Sequence, residues 1–214
     1  MNILPNLLLV ASAVFSAPSA SIAEPRSASP AVEDANAVST PSFPNSTCPI
    51  MGKPISSKLY VDTEKGRIWV CCKSCNKEVL ADVAKAHQTA YPKITKLENE
   101  LCPVTGKKIE KGAPRVVLQG FEFSVATKEA AVAAQADAQV VLARLNDPKL
   151  VDLGNTTCPV TGEAVGKNAF VVIGKTIVRL SSPKVLDDVQ KDPAKILEKA
   201  RALREKQGAA PGKT

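Results

Sequence analysis

The apolar positions of this chain fall into three runs of one design. In each, two short apolar stretches flank a glycine and a longer segment with helical spacing follows. The first run predicts strands at Lys58–Asp62 and Arg67–Cys71 around Gly66. The second predicts Arg115–Gln119 and Phe121–Val125 around Gly120, and the third Phe170–Ile173 and Lys175–Leu180 around Gly174. β-branched and aromatic residues on either side of a glycine read as a hairpin, and the three glycines are evenly spaced along the chain. The first helix, Lys73–Ala90, carries Val79, Val83 and Ala86 on one face and ends before Pro92. The second, Lys128–Leu145, is alanine-rich, carries Val132, Gln139, Val140 and Val141, and stops before Pro148. The third opens at Ser182-Pro183, a serine N-cap with proline in the first turn. Asp192-Pro193 breaks it, and Ile196, Leu197, Ala200 and Leu203 mark a further helix to about Lys206.

Each run begins with Cys-Pro-[Val/Ile]-x-Gly: Cys48 to Gly52, Cys102 to Gly106 and Cys158 to Gly162. The knuckle cysteines recur at nearly the same interval as the glycines, and self-similarity at such a period marks a repeat architecture. The expected fold is therefore α+β: three tandem small units, each a cysteine knuckle, a β-hairpin and a helix, over residues 46–98, 99–151 and 152–207. Units of about 50 residues sit near the lower limit for folding without a metal or a crosslink. Composition agrees. Hydrophobic residues make up 44% but aromatics only 4%, so few rings can anchor one large core.

The ends carry other signals. Residues 1–23 contain no Lys, Arg, Asp or Glu, and Ser21-Ile22-Ala23 fits an A-x-A-like cleavage site. The apolar stretch Ile3 to Ala17 is shorter than the roughly 20 residues a span needs. It reads as a signal peptide, which makes the protein exported, periplasmic or secreted. That segment holds no cysteine and no other run is long enough to cross a bilayer, so no stable membrane anchor is expected. Residues 24–45 read as a flexible Ser/Ala/Pro-rich leader and 208–214 as a disordered tail. The charge is +7, from 28 basic and 21 acidic side chains. The lysines are scattered and stacking rings are scarce, so the surface reads as solvated and nucleic acid is not expected as a partner.

The first run alone adds Cys71-Cys72-Lys73-Ser74-Cys75. Cys48 sits on a tight Pro/Gly turn, and Cys72 and Cys75 lie three apart where strand becomes helix, so their sulfurs share one side of the first turn. Such convergent thiolates suit Zn(II), Cu(I) or other soft ions. This pattern resembles the YHS/TRASH group of heavy-metal-binding modules, treble-clef-like relatives of zinc fingers. The resemblance is clear over about residues 46–96. It implies metal ligands at Cys48, Cys72 and Cys75, with Cys71 an additional candidate, and one Zn or Cu(I) per chain. In the second run the matching positions are Val125, Ala126 and Glu129, and in the third Arg179, Leu180 and Pro183. Neither set can ligate the same ion.

Met51 is weighed as a gap-filling side chain and as a thioether suited to Cu(I). His87, the sole histidine, lies roughly 18 Å along the helix from Cys75 and reads as an exposed helix residue. Cys102 and Cys158 fit a shared metal site, a disulfide or knuckle packing. The expected function is an exported binder, carrier or buffer of a soft metal ion, for which an exported protein partner would be natural. The alternatives are a structural or interaction protein whose first unit is stapled by metal or disulfides, and a thiol–disulfide oxidoreductase using Cys72-Lys73-Ser74-Cys75. No Ser/His/Asp set, phosphate loop or paired-carboxylate motif is present, so an enzyme is not expected.

Overall fold

The computed structural model describes residues 35–208. The expected signal peptide, the first part of the leader and residues 209–214 of the tail lie outside the described residues. The fold is mixed α+β, with six α-helices, one 3-10 turn and several small sheets among the described residues.

Three antiparallel hairpins carry the architecture. The first pairs β2 (Tyr60–Thr63) with β3 (Gly66–Trp69), the second β5 (Arg115–Leu118) with β6 (Phe121–Ser124), and the third β8 (Phe170–Ile173) with β9 (Thr176–Arg179). Three two-residue strands extend them. β1 (Val38–Ser39) pairs antiparallel with β8, while β4 (Thr95–Lys96) and β7 (Val151–Asp152) run parallel to β6 and β9. Strands this short have no periodicity to read.

The glycines do not hold one place in these turns. Gly66 is the first residue of β3, Gly120 the second loop residue and Gly174 the first. In the second loop Gln119 and Gly120 both have positive φ, 49° and 79°, the pattern of a type I′ turn. The hairpins end instead at Trp69, Ser124 and Arg179, evenly spaced but at a slightly longer interval than the glycines. Even glycine spacing thus gave a register one residue short, and counted from the strand ends Cys71 corresponds to Ala126 and Ser181.

The first two expected helices are each two, and the third segment breaks where expected. α1 (Cys75–Ala81) and α2 (Val83–Ala90) meet at Asp82, α3 (Lys128–Ala136) and α4 (Ala138–Asn146) at Asp137, and α5 (Leu186–Lys191) and α6 (Pro193–Gly208) at Asp192. Asp82 and Asp192 accept the N–H groups of Lys85 and Lys195 at 3.0 and 3.1 Å, as N-caps do. Asp137 instead pairs with Arg179. Only the third break has a proline to announce it. The third helical segment also opens with a 3-10 turn, Pro183–Val185, capped by Ser182.

An asparagine three residues before each knuckle cysteine ties knuckle to hairpin. The Asn45 side-chain amide donates to the Thr47 and Trp69 carbonyls, at 2.7 and 3.0 Å, and accepts from the Trp69 N–H at 2.8 Å. Asn99 does the same with Leu101 and Ser124, and Asn155 with Thr157 and Arg179. Asn45 therefore belongs to the fold, as does the chain from Ala35 on. Phe43 packs against the core holding Phe123 and Leu118, and the Gly174 N–H donates to the Ala37 carbonyl. This corrects the expected leader over its second half: tertiary anchors, not periodicity, order these residues.

Buried side chains form a cluster beneath each hairpin, and a fourth joins α4 to β8 and β9 through Val140, Ala143, Phe170, Val172 and Ile177. The first and second hairpins interlock through Gln119. Its amide accepts from the Arg67 N–H at 3.0 Å and donates to the Phe43 carbonyl at 2.9 Å. Gly66 leaves the space: a Cβ there would lie 2.7 Å from Gln119 Cγ.

Candidate metal centre

All three knuckles fold alike. The knuckle cysteine's N–H donates to the carbonyl five residues on, and the knuckle glycine's N–H returns to the cysteine carbonyl, at 2.7–2.9 Å in every case. Each cysteine Sγ then faces a ring of N–H donors. For Cys48 these come from Cys71, Met51 and Ile50. For Cys102 they come from Thr105, Ala126 and Val104, and for Cys158 from Thr161, Ser181 and Val160. Burial pushes each of these thiols up, but the converging donors win and hold all three below the ordinary thiol value. This cradle is reason enough for a cysteine in each knuckle. Cys102 and Cys158 are free thiols, each buried in its own core, and neither bonds the other.

What lies opposite the sulfur differs. In the first knuckle, the Sγ atoms of Cys48, Cys71 and Cys75 lie within 4.8 Å of one another, a group able to hold a metal ion. Cys48 comes from the knuckle, Cys71 from the chain leaving β3, and Cys75 from the first residue of α1. Cys48 and Cys75 are buried and Cys71 is partly exposed. Cys72 lies beside this triad, its Sγ 3.4 Å from Cys75 and 3.9 Å from Cys71. Cys71 and Cys75 are 3.8 Å apart.

The four thiols are electrostatically unequal. The Ser74 hydroxyl, 3.1 Å away, leads in holding Cys72 down to about 6, helped by the Cys75 thiol and backbone N–H. Burial, reinforced by Cys72, Cys48 and Cys71, pushes Cys75 up to about 12. Burial and Cys48 also raise Cys71. An assembly that keeps one thiolate and resists making the next suits a cation, which supplies the missing charge and deprotonates the remaining ligands on binding.

By the strand register, Cys71, Cys72 and Cys75 correspond to Ala126, Thr127 and Ala130, and to Ser181, Ser182 and Val185. These replace the positions expected from glycine spacing. Thr127 caps α3 by accepting the Ala130 N–H at 3.1 Å, the bond that the Cys72 thiol accepts from Cys75. Neither set offers three thiols.

Two further expectations change. Met51 fills no gap, because its side chain is 53% exposed. His87 is buried, with 8% exposed, since the break at Asp82 turns α2 onto the first hairpin. Its ring lies 5.2 Å from that of Tyr91, and its Nε2 has no hydrogen-bond partner among the described residues. It is not one of the group of side chains that could hold the ion. The asparagine staples went unread in the sequence; their signal was an Asn three residues ahead of each knuckle cysteine.

No family model matches the chain, and no curated protein or solved structure shows significant similarity to it.

Proposed function

We propose that this protein is an exported, non-enzymatic binder or carrier of one soft metal ion, Zn(II) or Cu(I), held by the first of three tandem knuckle–hairpin–helix units. The carrying observation is the convergence of the Cys48, Cys71 and Cys75 thiols within 4.8 Å. The second and third knuckles supply the comparison that gives this weight. They close with alanine, serine or valine opposite the same sulfur cradle, so folding of the knuckle does not require thiols there. The resemblance to YHS/TRASH modules, and the uncharged apolar segment that opens the chain, support metal handling outside the cytoplasm. The recurring asparagine staples, knuckle hydrogen bonds and aspartate helix breaks support the three-unit organisation. Three thiolates suit a trigonal Cu(I) site, or a Zn(II) site whose fourth position is open to solvent.

The test is metal content of the full chain purified under anaerobic, reducing conditions. One Zn or Cu per chain is expected, lost in Cys75→Ser and kept in Cys158→Ser. A chain that retains neither metal after loading and desalting overturns the reading.

A further inference from the structure

We propose that Cys72 and Cys75 form a redox dithiol that exchanges with small-molecule disulfides, and that closing it dismantles the metal triad. Its second half rests on the metal-binding reading; its first half does not.

Among Cys71, Cys72 and Cys75 the geometry singles out this pair. Their sulfurs are 3.4 Å apart, against 3.8 Å for Cys71–Cys75 and 3.9 Å for Cys71–Cys72. A disulfide at about 2.05 Å needs a closure of roughly 1.4 Å. The adjacent pair Cys71–Cys72 would have to close its ring across one planar peptide bond, which resists the required twist. Access is divided as exchange demands. Cys72 is partly exposed, whereas Cys75 is only 2% exposed, so within this pair an incoming disulfide meets Cys72 first.

The chemistry balances without a further reagent. The Cys72 thiolate attacks one sulfur of the incoming disulfide, forms a mixed disulfide and expels the first small thiolate. Cys75, its proton passed to solvent, attacks Cys72 Sγ and expels the second. Two electrons leave the protein dithiol, the small disulfide becomes two thiols, and the protein gains one internal disulfide. Cys75 belongs to both the dithiol and the triad. Bonded to Cys72 it is no longer a thiolate, which leaves Cys48 and Cys71 as two ligands for a soft ion. The same reaction run backward by a small dithiol restores the site. The corresponding Thr127/Ala130 and Ser182/Val185 carry no such pair.

The test uses the full chain loaded with zinc under anaerobic conditions and mixed with excess oxidised glutathione and a chromophoric zinc chelator. The expected result is one zinc released for each Cys72–Cys75 disulfide found by peptide mapping, with two glutathione thiols liberated. Cys72→Ser keeps the triad and its zinc but releases it at least about tenfold more slowly. A Cys71–Cys75 crosslink in place of Cys72–Cys75, or zinc loss from Cys72→Ser at the unsubstituted rate, overturns the proposal. If the chain takes up neither zinc nor Cu(I), the metal reading fails by itself. Mapping of the zinc-free chain then decides the dithiol: a Cys72–Cys75 bond supports it and no such bond overturns it.

Discussion

The first and second knuckles present the same N–H cradle to Cys48 and Cys102 but put different atoms opposite it. Across from Cys48 stand the thiols of Cys71 and Cys75; across from Cys102 stand the methyl groups of Ala126 and Ala130. The second knuckle is also closed from outside, because Arg144 on α4 donates to the carbonyls of Pro103 and Val104. The first is open there, with Ile50 and Met51 exposed. Ala130 joins a continuous apolar cluster with Phe123 and Leu118. One backbone therefore serves either as a packed scaffold or as an open cluster of sulfur, and a few side chains make the difference.

The hardest way to break that comparison is to remove a triad thiol. Cys75→Ala should lower zinc affinity by about 100-fold or more, beyond the roughly 10–100-fold typical of losing a mere supporting partner. Chelator competition reads this directly. Cys102→Ala should leave affinity unchanged, since its sulfur touches no second thiol. Equal losses in both variants would mean that the clustered thiols are not the ligands.

Next in size is the reverse graft. Ala126→Cys with Ala130→Cys places two thiols opposite Cys102 at the register of Cys71 and Cys75. The doubly substituted chain should bind a second zinc ion, more weakly than the first because the closed surface around Arg144 hinders entry. Titration with a zinc-sensitive chromophore counts the sites. One site only would show that the cradle and three thiols do not suffice.

The asparagine staples should matter equally in either kind of knuckle. Asn45 is buried and makes three hydrogen bonds to backbone. Asn45→Ala strands these groups, at about 1–3 kcal/mol for each left unsatisfied. A loss of roughly 3 kcal/mol in urea melts is expected, and a similar loss for Asn155→Ala. A much smaller loss for Asn45→Ala would mean that water replaces the staple at the more open first knuckle.

These staples show where legibility ended. Hairpins, helical segments and cysteine clustering were readable because periodicity and residue type carry them. The position of each thiol within the cluster was not. Cys71 entered as an additional candidate and Cys72 as a ligand, whereas the triad contains Cys71 and leaves Cys72 beside it. The one-residue register depends on which turn residue glycine occupies, and that follows from three-dimensional strand pairing. The helix breaks at Asp82 and Asp137 were likewise silent, since an aspartate inside an otherwise helical segment caps a new helix, as at Asp82, or meets a distant arginine, as at Asp137, only once the chain turns there. Burial of Asn45 and of His87 comes from contacts with distant segments, and no local pattern encodes it.

A smaller effect separates the thiols by reactivity. Cys72 is held down to about 6, chiefly by the Ser74 hydroxyl, so its thiolate dominates above that pH. In the metal-free chain, alkylation by iodoacetamide should label Cys72 first, with a midpoint near that value which rises in Ser74→Ala. Cys102 and Cys158, buried in their cradles, should stay unlabelled until the chain unfolds. Early labelling of Cys102 would show that the second knuckle opens as readily as the first.

The smallest effect is a pH dependence that belongs to the first unit alone, because it holds the sole histidine. Burial lowers the His87 pKa from 6.5, with the Lys65 ammonium adding to the shift and the Lys65 carbonyl and Glu64 opposing it. Between the folded and unfolded values, the unfolded chain binds more protons. The His87 contribution to stability is therefore complete above about pH 6.5 and is lost as pH falls through the folded pKa. Protonation would charge a ring whose Nε2 lacks a partner among the described residues, beside the Tyr91 ring. Urea melts of the metal-free chain across mildly acidic to neutral pH should show this decline. His87→Phe should flatten it while retaining the ring packing. If the decline persists unchanged in His87→Phe, the titrating group lies elsewhere and the two knuckles share their pH response.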